Sequence, residues 1–134
     1  MKTMKTILTS FILVTLFSVS VMAQSSAKVI AVVNKADWCP VCEKNGERAM
    51  AALMKNNKDG SVQFVVNDLT SNETKAQSAK ELKKVGVYET VSEFNSTGVV
   101  YFFNARTTEL INQISVAKPD EKLTQTLLDV KKEI

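Results

Sequence analysis

The chain has no histidine among its 134 residues. That removes the side chain that titrates nearest neutral pH, the usual base of nucleophilic triads and the commonest metal ligand. It has only two cysteines, Cys39 and Cys42. A disulfide-stapled scaffold uses several pairs at longer spacing. A four-ligand zinc site would have to be completed by carboxylates or water. There are two prolines, Pro40 and Pro119, and four glycines. No Pro/Gly-rich linker, low-complexity stretch or internal repeat divides the chain, which is long enough for one small domain.

What is present first is an N-terminal pattern of targeting type. Lys2 and Lys5 precede an apolar stretch running from Ile7 to Met22, and Val21-Met22-Ala23 offers compact residues ahead of polar Gln24-Ser25-Ser26. Basic, apolar and cleavage regions in that order read as a signal peptide over residues 1–23. The stretch is diluted by Ser and Thr and is short for a bilayer span, so no stable membrane insertion is expected after cleavage. The expected domain is residues 24–134, in a periplasmic or secreted setting. Without Lys2 and Lys5 the 17 basic residues fall to 15, against 14 acidic ones. So balanced a domain carries no electrostatic reason for a nucleic-acid partner.

Residues 28–34 form a continuous β-branched run, the pattern of a strand buried on both faces. A helical pattern follows from Cys39 to about Lys58, with Ala49, Ala52 and Leu53 on its apolar stripe and Gly46 as an interruption, a kink or close-packing point. Residues 62–67 make a second apolar strand. Ser71 or Asn72 caps the next helix, whose buried face is expected at Ala76, Ala79, Leu82 and Val85 before Gly86 ends it. Residues 88–98 read as a polar connection containing Phe94. Residues 99–104 and 109–116 read as a hairpin. Pro119 suits the first position of a last helix striped by Leu123, Leu127, Val130 and Ile134. The order β-α-β-α-β-β-α predicts an α/β fold of three layers, a mixed sheet of about four strands flanked by helices.

The chemistry is concentrated at Trp38-Cys39-Pro40-Val41-Cys42, between the first strand and the first long helix. Free N–H groups and the helix dipole stabilise negative charge there, and a thiolate is the reactive form of cysteine. Cys39 at the helix mouth is the expected attacking thiol. Cys42, one turn on, is the expected resolving thiol. Pro40 fits the first turn, where its missing N–H costs nothing. Trp38 presents apolar surface beside the pair. A structural local disulfide and a soft-metal thiolate site such as Cu(I) are the alternatives.

Residues 29–33, Ala36-Asp37-Trp38-Cys39-Pro40-Val41-Cys42, residues 62–67 and the hairpin over residues 99–116 together resemble the thioredoxin superfamily. The Ala-Asp-Trp-Cys-x-x-Cys stretch is similar to exported, Dsb-like thiol:disulfide interchange domains. The resemblance implies a thioredoxin-like fold and a redox-active Cys39–Cys42 disulfide that needs neither cofactor nor metal. It implies protein disulfides or thiols as substrates, a separate redox partner to recharge the pair, and a lean toward the reducing direction. Two features depart from the family. Its cis-proline before the third core strand has no counterpart, the residues here being Asn95-Ser96-Thr97-Gly98, with Thr97 the nearest match for a substrate-facing position. The buried acid that many thioredoxins place before the motif corresponds to Val33. Glu43 and Glu47 are the nearby carboxylates, otherwise read as solvated. Tyr88, Phe94 and Tyr101 are candidates for a substrate groove. Met50 and Met54 read as core filling rather than copper ligands. Lys118, Lys122, Lys131 and Lys132 read as a solvated face. The alternative function is a metal-binding or non-catalytic interaction domain using the same thiols.

Overall fold

The computed structural model describes residues 27–134. The signal-peptide reading over residues 1–23 lies outside them. The elements are β1 (Val29–Lys35), α1 (Pro40–Lys55), β2 (Val62–Asp68), α2 (Asn72–Lys84), α3 (Tyr88–Val91), β3 (Val99–Asn104), β4 (Leu110–Ser115) and α4 (Asp120–Lys132). The four strands lie in the order β2-β1-β3-β4. β1 and β2 are parallel, joined through α1, and the other two pairings are antiparallel. The mixed sheet and three layers expected from the element order are what the structure has.

β1 is apolar from Val29 to Val33 because both faces of the sheet are covered there. Val29, Ala31 and Val33 pack with Phe102, Leu53, Leu123 and Leu127 under α1 and α4. Ile30 and Val32 pack with Tyr101, Phe103, Leu82 and Val87 under α2 and α3. Phe102 and Phe103 are fully buried on opposite faces, and burying such a side chain stabilises by about 1.5–3 kcal/mol.

Several local expectations are corrected. The connection after Gly86 holds a single helical turn, α3, whose Val91 is buried along with Val87 before it. Phe94, half-buried, packs onto the core, its ring 5.0 Å from that of Tyr101 and 5.8 Å from that of Phe103. Tyr101 is buried, while half-buried Tyr88 packs against the same cluster and lines a cavity beside α2. On α2, Ala76 is exposed and Ser78 is buried, because the Ser78 hydroxyl accepts the Asp68 N–H at 2.9 Å and ties the helix to the end of β2. Pro119 is the N-cap of α4 rather than its first residue, and Ile134 lies exposed beyond that helix. Lys131 is not a solvated charge: its ammonium donates to the Asn56 carbonyl at 2.8 Å and to Asp59 at 3.0 Å. At the start of β2 the Asn57 side chain engages both the N–H and the C=O of Val62.

Three carboxyls are held below their ordinary values by the fold. Asp59 is lowered by the Lys131 ammonium and by Ser61, Asp68 by the Thr70 hydroxyl and N–H and by Lys35, and Glu73 by its own N–H and the Ser71 hydroxyl at the start of α2. A depressed folded pKa contributes stability above the unfolded value and loses it as pH falls through the folded one. Thermal midpoints are therefore expected to be flat between pH 7 and 5 and to fall below about pH 4. A midpoint that rose on acidification would contradict these partners.

Candidate active site

β1 ends at the sheet's centre and delivers the chain to a tight turn. The Cys39 N–H closes it onto the Ala36 carbonyl at 3.1 Å. Two bonds lace this turn to the β2–α2 loop: the Asp37 N–H to the Thr70 hydroxyl at 2.9 Å and the Trp38 indole N–H to the Thr70 carbonyl at 3.3 Å. Cys39 is the N-cap of α1, in extended conformation, and Pro40 opens the helix. The Cys42 N–H, one of the helix's free donors, points at the Cys39 Sγ at 3.2 Å. Cys39 and Cys42 form a disulfide with Cα atoms 5.3 Å apart. Trp38, 62% exposed, and Val41, 40% exposed, flank it.

The two sulfurs have different surroundings. Cys39 is only 4% exposed. Cys42 is half-buried and opens on a cavity of about 440 Å³ between α1, the end of β1 and β2. Glu43, Gly46, Glu47 and Met50 supply its α1 wall, so Glu43 and Glu47, though exposed, belong to the site. Gly46 is not a packing point: a Cβ built on it meets nothing within 4 Å. Its missing side chain keeps this wall open at the residue one turn past Cys42.

Gly98, next to Thr97, is set against the pair from the other side. A Cβ at Gly98 would lie 3.1 Å from Val41 Cγ1 and 3.7 Å from Cys39 Sγ. Its φ of +74° is the left-handed conformation that glycine adopts without strain. Gly98 is pinned at both ends, its N–H donating to the Asn34 carbonyl at 2.8 Å and its C=O accepting from Val116 at 2.9 Å. Thr97, half-buried, precedes it. The described residues contain no cis peptide bond.

Two supports were not foreseen. Asn34 is fully buried beside the site and bridges three segments. Its amide donates to the Phe94 carbonyl at 2.8 Å and its oxygen accepts from the Asn67 amide at 3.0 Å. This network holds the loop leading to Gly98. The signal was available in the matched endings Val32-Val33-Asn34 and Val65-Val66-Asn67, which the parallel register sets side by side. Arg48 clamps α1 to the segment before α4. Its guanidinium pairs with Asp120 and donates to the carbonyls of Val116 at 2.8 Å and Lys118 at 3.1 Å.

No family model matches the chain, and no curated protein does. Solved structures do. The chain is similar to Trxlp from Edwardsiella tarda EIB202, at 18% identity and a TM-score of 0.50, over 78% of this chain and 86% of that one. It is similar to the oxidised thioredoxin of Plasmodium falciparum, at 14% identity and a TM-score of 0.50, over 79% and 84%. The thioredoxin of Fasciola hepatica matches at 15% identity and a TM-score of 0.50, over 80% and 85%. The fold is therefore thioredoxin-like, as the Cys motif and element order led one to expect. Within it, a Cys-x-x-Cys pair stands at the mouth of the first long helix.

Proposed function

We propose that the protein is an exported thiol–disulfide oxidoreductase working through Cys39 and Cys42. The observation that carries this is the N-cap geometry of Cys39. Its sulfur receives the Cys42 N–H at the positive end of α1, the setting that favours a thiolate. In the dithiol form the Cys39 thiolate attacks one sulfur of a substrate disulfide, the substrate S–S bond breaks, its other sulfur leaves as a thiolate, and a mixed disulfide with Cys39 forms. Cys42 then attacks the Cys39 sulfur, restores the intramolecular disulfide and releases the substrate as a thiol. Exposed Trp38 and Val41 offer the apolar surface on which a protein substrate docks. The resemblance to interchange domains supports the reducing direction, a separate redox partner that recharges the pair, and a periplasmic or secreted location after removal of residues 1–23.

The test is a redox titration of residues 24–134 in a glutathione buffer series, with thiols trapped by alkylation. A reversible two-electron transition is expected. A midpoint near about −270 mV fits a reductant, and one near about −120 mV an oxidant and a reversed direction. A pair locked in one state across the series ends the proposal.

One observation favours the second reading, a Cu(I)-type carrier. Met50 lines the same cavity as Cys42. Among the described residues, however, no three Cys, Asp, Glu or His side chains are grouped as a metal site. Stoichiometric Cu(I) retained by the reduced protein against a competing chelator would support that reading over exchange.

A further inference from the structure

We infer that the disulfide has a second entrance: a low-molecular-weight thiol of neutral or positive charge reduces it by attacking Cys42 through the α1–β1–β2 cavity. The inference rests on the exchange reading above and adds a site and a substrate class to it. Cys39 is nearly covered in the oxidised protein, whereas Cys42 is half-buried and faces the cavity. A volume of about 440 Å³ accommodates a small thiol but no folded partner. Protein partners thus meet the Trp38–Val41 side and small thiols the Cys42 side.

The chemistry favours this sulfur. In thiol–disulfide exchange the better leaving group is the thiol of lower pKa. Attack on Cys42 expels Cys39, whose developing negative charge is received by the Cys42 N–H at the helix mouth. The incoming thiolate forms a bond to the Cys42 sulfur, the Cys39–Cys42 bond breaks, and its electron pair leaves on Cys39. A second thiolate then attacks the small-molecule sulfur of the adduct and expels the Cys42 thiolate. Two thiols become one disulfide and the protein gains both electrons as a dithiol.

The charge preference follows from the walls. Asp37, Glu43 and Glu47 line the cavity against a single cation, Lys35. Lys35 is itself shared with Asp68, 3.8 Å away. An anionic thiol is repelled from such a mouth, and a cationic one is drawn to it.

Oxidised protein is treated with cysteamine, 2-mercaptoethanol or 3-mercaptopropionate, quenched in acid and mapped by mass spectrometry. Adducts are expected on Cys42. Rates are compared at equal thiolate concentration, each divided by the rate on an unhindered disulfide. Cysteamine should exceed 3-mercaptopropionate by about tenfold at low ionic strength, with the gap closing in salt. Gly46→Leu should slow reduction by every small thiol about tenfold or more while leaving the midpoint potential unchanged, because the plug obstructs the path and not the equilibrium. Val66→Phe plugs the cavity from the β2 wall should the first variant not fold. The Glu43→Gln, Glu47→Gln double variant should remove most of the charge preference. Adducts on Cys39, or plugged variants reduced within twofold of the parent rate, would overturn the inference and leave the exchange reading standing. A disulfide that no thiol opens would overturn both.

Discussion

Cys39→Ser is expected to abolish disulfide exchange while leaving the fold intact. Serine is among the best N-cap residues. Its hydroxyl can accept the Cys42 N–H that the Cys39 sulfur accepts now. The start of α1 is therefore preserved when the proposed nucleophile is removed. Losing so short a disulfide loop costs about 2 kcal/mol at most by chain entropy, so circular dichroism should stay native. Cys42→Ser has the complementary outcome. Its Cys39 thiolate still attacks, but nothing displaces the bound partner, and a mixed disulfide should accumulate on non-reducing gels. The reciprocal result, with Cys42 forming the stable protein adduct and Cys39 dispensable, would invert the roles assigned to the pair. Cys39→Ala makes a useful contrast, because it removes the nucleophile and the cap together and should lose about 1 kcal/mol more stability than the serine variant.

Asn34→Leu is expected to be the most destabilising conservative change near the site. The replacement is similar in shape, but it strands two buried partners, the Phe94 carbonyl and the Asn67 amide. Each stranded group costs about 1–3 kcal/mol, so the sum is roughly 2–6 kcal/mol. For a domain of this size that lowers the thermal midpoint by roughly 10–25 °C. Adding Asn67→Leu should recover part of the loss, since removing both members of a buried bond is less damaging than removing one. Thermal unfolding of the two singles and the double variant gives the coupling directly. A single variant within 1 kcal/mol of the parent would mean that the network does not support the loop to Gly98.

Much of this could be read from the sequence. The apolar runs of β1 and β3 lack alternation because both faces of the sheet are covered there, and that pattern is local. The Cys motif could be placed because a buried strand and a helical stripe bracket it. What escaped depends on register and packing between distant segments. Asn34 and Asn67 look like polar strand ends until the parallel pairing sets them together. Phe94 looks like an exposed aromatic in a polar loop until α3 turns it onto Tyr101 and Phe103. Ser78 breaks the apolar stripe of α2, yet it is buried because Asp68 needs an acceptor. Thr97 is the nearest counterpart to a proline by position, and the close approach of the backbone beside it, at Gly98, shows only once the chain is folded against Val41 and Cys39. The cavity has no signature in sequence order, because its walls come from α1, β1, β2 and the segment around Val116.

The side chains at the ends of β2 have a consequence for how copies of the protein meet. β2 is an outer strand of the sheet, and Val66 on it is 46% exposed. An open edge of that kind is a template for aggregation. Asn57 occupies both backbone groups of Val62 at one end, and Ser78 occupies the Asp68 N–H at the other. A stray strand approaching this edge finds only the short stretch between them. The molecule thus keeps an apolar residue on its rim without offering a ladder long enough to recruit a neighbour's sheet.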